Sequence, residues 1–112
     1  MSQLTTHILD TTKGKPAKDV KIILYRNEKD QWTEVVKGIT NKDGRIPDLL
    51  QKDVALEEGI YKMRFETRDY FDKQGMASFY PYVEIIFDIS TQEHYHIPLL
   101  LSPFGYSTYR GS

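Results

Sequence analysis

Apolar side chains recur at every second position in one short segment after another, and each segment is cut off by a turn signal after about eight residues. That period belongs to strands with one buried face. Leu4 to Asp10, Val20 to Asn27, Trp32 to Thr40, Ile60 to Thr67, Val83 to Ile89, His94 to Leu101 and Phe104 to Arg110 all read this way. Between them, Thr11 to Lys15 is a turn with Gly14 ahead of Pro16, and Glu28-Lys29-Asp30 is a charged hairpin connection. Asn41-Lys42-Asp43-Gly44 is the strongest turn signal, because Asn, Asp and Gly tolerate positive φ. Arg45 and Ile46-Pro47 follow it, too short and proline-bound for anything but an edge strand. Leu49 to Gly59 is irregular, and Ala77 to Tyr82 is an aromatic loop. Arg68 to Gly75 reads as a short helix with a glycine stop. Seven or eight strands and one helical insertion describe an all-β sandwich.

With 112 residues the chain is expected to be a single domain, large enough for one core without staples. A formal net charge of −1 argues against nucleic acid or an acidic membrane as a bulk electrostatic partner. The absence of cysteine excludes thiolate catalysis, thiolate metal sites and disulfides. Met1 to His7 is neither basic nor apolar, so no signal peptide is expected, and no stretch approaches the roughly 20 apolar residues that span a bilayer. The expected place is the cytoplasm.

Chemistry collects near the C-terminus. In a strand over His94–Leu101, Tyr95, Ile97, Leu99 and Leu101 share one face, apolar enough to be core. His94, His96, Pro98 and Leu100 share the other, and its half-apolar character calls for cover by another subunit. His94, beside a turn, reads as a solvated strand end. Histidines at i and i+2 with His7 from another strand could also hold a metal, but no carboxylate or cysteine cluster supports that, and no metal or cofactor is expected. The sequence shows no Ser-His-Asp signature, no phosphate-cradling glycine loop and no carboxylate pair. Two imidazoles, the Arg45 guanidinium and the Tyr109-Arg110-Gly111-Ser112 end suit acid–base hydrolysis by water.

Two end signatures then carry a family resemblance. His7-Ile8-Leu9-Asp10 with Gly14 and Pro16-Ala17, and the run from Tyr95 to Ser112, resemble the transthyretin family, and more narrowly its 5-hydroxyisourate hydrolase branch. The resemblance covers essentially the whole chain. It implies an eight-stranded sandwich of two four-stranded sheets with one short helix, assembled as a homotetramer (a dimer of dimers) around a central channel. It implies no cofactor and a small-molecule substrate, 5-hydroxyisourate, whose six-membered ring is opened to 2-oxo-4-hydroxy-4-carboxy-5-ureidoimidazoline. His7, Arg45 and His96 match the catalytic positions, where the hormone-carrying branch has lysine, glutamate and threonine. Tyr109, Arg110, Gly111 and Ser112 match the terminal tetrapeptide, with Tyr109 walling the channel and the last three residues folding over the site. The other function the resemblance allows is a small-ligand carrier using the same channel.

Overall fold

The computed structural model describes residues 2–111. Eight strands form two four-stranded sheets: β1 (Leu4–Asp10), β2 (Lys15–Pro16), β3 (Lys21–Glu28), β4 (Gln31–Ile39), β5 (Gly59–Phe65), β6 (Val83–Ile89), β7 (Tyr95–Ser102) and β8 (Gly105–Thr108). One sheet runs β2-β1-β7-β8 and the other β4-β3-β5-β6. All pairs are antiparallel except β1 with β7, whose parallel register sets Thr5 opposite His96 and His7 opposite Pro98. The alternating strands deliver Leu4, Ile8, Ile22, Leu24, Met63, Phe65, Leu99 and Leu101 to the space between the sheets. Each fully buried side chain of this kind contributes about 1.5–3 kcal/mol.

The single helix, α1 (Thr67–Asp72), buries Thr67, Tyr70 and Phe71, the i, i+3, i+4 stripe that lies on one helical face. It stops where Gly75 turns left-handed at φ 68°; the Gly75 N–H then bonds to the Asp72 carbonyl at 3.0 Å and the Met76 N–H to the Phe71 carbonyl at 3.0 Å. A polar bond ties this helix to the first strand. The Tyr70 hydroxyl donates to Asp10 Oδ2 at 2.7 Å, while the main-chain N–H groups of Thr12 and Lys13 donate to Asp10 Oδ1 at 3.0 and 3.2 Å. Asp10 is fully buried, and burial together with this carboxylate raises the Tyr70 phenol to about 12. Asp10→Ala removes the acceptor of three donors and leaves the buried Tyr70 hydroxyl without a partner. It is expected to cost about 3 kcal/mol, read as a lower urea midpoint at unchanged m.

One expected strand is absent. Arg45–Pro47 is not an edge strand, because the hydrogen bonds along the β1 edge are taken by other groups. Gly44 supplies its carbonyl to the Ile8 N–H at 3.0 Å, the Ala17 N–H donates to the Ile8 carbonyl at 3.0 Å, and β2 pairs with Leu9 and Asp10. Ile46 instead turns inward over Gly38, whose missing side chain leaves room for it, and the Leu49 N–H closes a turn on the Ile46 carbonyl. The eighth strand is therefore the two-residue β2, within and just after the segment expected to be only a turn.

Candidate active site

The outer face of the β2-β1-β7-β8 sheet gathers most of the chemistry. On β1, Leu4, Thr6, Ile8 and Asp10 point inward, so Thr5, His7 and Leu9 point out. On β7 the same alternation sends His96 outward, with His94 immediately before the strand. Parallel pairing of the two strands then places His7 and His96 diagonally across one surface. This is the pairing that joins residues 89 to 91 apart in sequence through a hydroxyl. Thr5 Oγ1 lies 2.9 Å from His94 Nε2 and 2.8 Å from His96 Nδ1, and the two imidazole rings stack with centroids 6.4 Å apart. His94 is half-buried and bonded, not a solvated strand end.

Arg45 reaches this face because of how the preceding turn docks. Asn41 Oδ1 accepts the N–H groups of Asp43 (2.8 Å) and Arg45 (3.2 Å), and the Gly44 N–H closes on the Asn41 carbonyl at 2.9 Å. Gly44 stands at φ 72°, and a Cβ on it would sit 2.5 Å from the Ile8 carbonyl oxygen. Only glycine lets the turn press against β1, one residue from His7. The electrostatic result is visible in both histidines. His7 is held below the usual imidazole value of 6.5, first by burial and then by the Arg45 charge, partly offset by the Asp43 main chain and carboxylate. His96 is lowered by burial, then by Arg45, His94 and His7, with a small opposing contribution from the Thr5 main chain. Both rings are therefore neutral at neutral pH, able to take a proton rather than already carrying one.

The end of the chain packs onto the same spot. The Gly111 N–H donates to the His96 carbonyl at 2.9 Å, continuing the β8 register in a single bridge, and a Cβ on Gly111 would lie 2.5 Å from His96 Cδ2. Gly111→Ala must therefore displace either the ring or the tail. Activity is expected to fall about tenfold or more with little loss of stability, since a misplacement of about 1 Å at reacting groups can cost a hundredfold; parallel turnover and thermal-unfolding measurements check it.

The structure thus brings together His7, Arg45, His96 and Gly111, and it does not bring Arg110 to them. The Arg110 guanidinium lies 4.5 Å over the Tyr95 ring and pairs with Glu93. Tyr109, 60% exposed, borders an apolar cavity of about 230 Å³ at the sandwich edge with Ile85, Phe87 and Ile97. Ser112 lies outside the described residues. Among the described residues no three His, Cys, Asp or Glu side chains converge as a metal site would require. Thr5 was not singled out from the sequence. A threonine in a strand carries no signal of its own, and only the non-local β1–β7 register reveals its place between two imidazoles.

A family model described as HIUase/Transthyretin family matches residues 4–111. The chain belongs to the HIUase/transthyretin family. Over 114 residues it is 47% identical to mouse 5-hydroxyisourate hydrolase, covering 99% of this chain and 96% of that one. A solved Klebsiella pneumoniae 5-hydroxyisourate hydrolase superposes with a TM-score of 0.86 at 38% identity, covering 100% of this chain and 94% of that one. Sea bream transthyretin in complex with thyroxine superposes with a TM-score of 0.91 at 34% identity, covering 98% and 95%. A 5-hydroxyisourate hydrolase and a thyroxine-bound transthyretin thus share this backbone, and side chains must decide between their functions. No helix of the described residues is long and apolar enough to cross a membrane.

Proposed function

We propose that this chain hydrolyses 5-hydroxyisourate to 2-oxo-4-hydroxy-4-carboxy-5-ureidoimidazoline, a step of urate breakdown, on the face formed by His7, Arg45 and His96. The observation that carries the reading is two imidazoles kept neutral beside a guanidinium on one sheet face. Full-length similarity to proteins named for this activity supports it. Water is the nucleophile, since no side chain here is an activated one. One histidine removes a proton from water, the other orients it or protonates the leaving nitrogen, and Arg45 stabilises the developing oxyanion. Arg110 holds the tail through Glu93 and Tyr95, and Gly111 closes over His96.

The same reading takes the working unit to be a homotetramer, a dimer of dimers. Leu9 and Leu100 share the catalytic face, and Ile86, Phe79 and Phe104 are all more than 60% exposed in the single chain. Apolar surface of this kind calls for cover. A carrier would instead hold a stable apolar ligand stoichiometrically without consuming it, and a face bearing two imidazoles and a guanidinium is poorly suited to that.

Two measurements test the proposal. A single turnover in heavy-oxygen water, with protein in excess, should place one labelled oxygen in the new carboxylate; unlabelled product would mean that a side-chain carboxylate of the protein, not water, supplies that oxygen. The pH dependence has a definite sign. Both folded imidazole pKa values lie below the usual 6.5, so kcat/KM should decline toward acid pH with a midpoint below 6.5, as the rings take up protons. A decline centred above 6.5 would contradict the histidine assignment.

A further inference from the structure

Thr5 has one hydroxyl proton and two imidazole nitrogens to satisfy. With His94 Nε2 at 2.9 Å and His96 Nδ1 at 2.8 Å, it can donate to only one and must accept from the other, so the tautomers of the two histidines are locked together. Either His96 Nδ1–H donates to Thr5 and Thr5 donates to His94, leaving His96 Nε2 bare, or the whole chain runs the other way and His96 Nε2 carries a proton. The first arrangement leaves His96 able to take a proton at the nitrogen that Thr5 does not engage, on a ring that the nearby Arg45 charge keeps neutral. Among the described residues His96 Nε2 has no hydrogen-bond partner, whereas Gly111 packs on the adjoining Cδ2.

We infer that Thr5 and His94 form a proton relay that holds His96 with Nε2 free, which makes His96, rather than His7, the general base of the reaction proposed above. The inference rests on that reading for its substrate, but the relay itself is a property of the resting protein. In the addition step a lone pair of water forms the new C–O bond and the carbonyl π pair moves to oxygen. The water proton goes to His96 Nε2, the His96 Nδ1 proton passes to Thr5 Oγ1, and the Thr5 hydroxyl proton passes to His94 Nε2. The positive charge then sits on His94. That ring lines a cavity of about 240 Å³ together with Ser2, Gln3, Asp53, Val54, Ala55 and Gln92. Reversal of the shift returns the proton through His96 Nε2 to the ring nitrogen as the C–N bond breaks and its electron pair goes to nitrogen. The second water proton leaves as the new carboxylic acid ionises. The charged and titratable groups around His96 are His7 from β1, Arg45 from the turn after β4, and His94 from its own segment.

The test combines tautomer and rate. Nitrogen NMR of the imidazoles in the intact wild-type protein at neutral pH should show His96 protonated on Nδ1 and bare on Nε2. Thr5→Val, which keeps the shape and removes the hydroxyl, should bring the Nε2–H form up to a substantial population. It should also lower kcat about tenfold or more, part of the roughly 10²–10⁴-fold that general-base catalysis supplies, with KM changed less than about twofold. Thr5→Ser should restore most of both, and His94→Phe, which removes the far end of the relay without touching Thr5, should repeat the kcat loss. Wild-type His96 protonated on Nε2, or Thr5→Val and His94→Phe with wild-type kcat, would overturn the relay. A wild-type protein that does not consume 5-hydroxyisourate would overturn the reaction instead, and the tautomer measurement would still decide the relay.

Discussion

Replacing His96 with alanine is expected to lower turnover of 5-hydroxyisourate at least about a hundredfold, or about 2.7 kcal/mol of barrier, and to leave the sandwich folded. The size follows from the position of the ring. His96 stands on the outer face of β7, its Nδ1 engaged by Thr5 and its edge covered by Gly111, so its orientation is fixed before substrate arrives. Fold is spared because the core side of the strand is built by Tyr95, Ile97, Leu99 and Leu101, and the backbone bond from the Gly111 N–H to the residue 96 carbonyl survives the change. Turnover and thermal unfolding measured on one preparation separate the two effects. Activity within a few-fold of wild type would remove His96 from the chemistry.

Arg45→Ala should also cost at least about a hundredfold, by a different route. Its side chain is exposed, and its main-chain bonds to Asn41 persist in alanine, so the turn that carries it stays docked. What is lost, in the proposed mechanism, is the cation that meets the oxyanion. A second consequence distinguishes this role from a packing effect. The Arg45 charge lowers both His7 and His96, so its removal should move the acid limb of the kcat/KM profile toward higher pH. Arg45→Lys keeps the charge but not the planar fork, and should restore the pH limb more fully than the rate. An unchanged pH limb in Arg45→Ala would mean that the guanidinium does not act on the histidines.

The sandwich and its helix were legible because they depend on local pattern. Period-two alternation from Leu4 to Asp10 and from Tyr95 to Leu101 assigns each face, and the same reasoning sends His96 outward. The Asn41–Gly44 turn was legible for the same reason. What escaped depends on partners far away in sequence. The eighth strand is β2 and not Arg45–Pro47, because Gly44 and Ala17 use the Ile8 main chain, which no local pattern announces. The bonding of His94 and the bridging role of Thr5 both follow from the parallel β1–β7 register. Arg110 was expected over the site with its neighbours, yet successive residues of an extended chain face opposite ways. With Gly111 against His96, Arg110 is turned to Tyr95 and Glu93.

The most direct measurement follows the ultraviolet absorbance of freshly generated 5-hydroxyisourate with and without the protein, beside His96→Ala at the same concentration. A decay that accelerates in proportion to wild-type protein, and nearly vanishes in the variant, is the predicted result. A wild-type rate no faster than the spontaneous one would contradict the account.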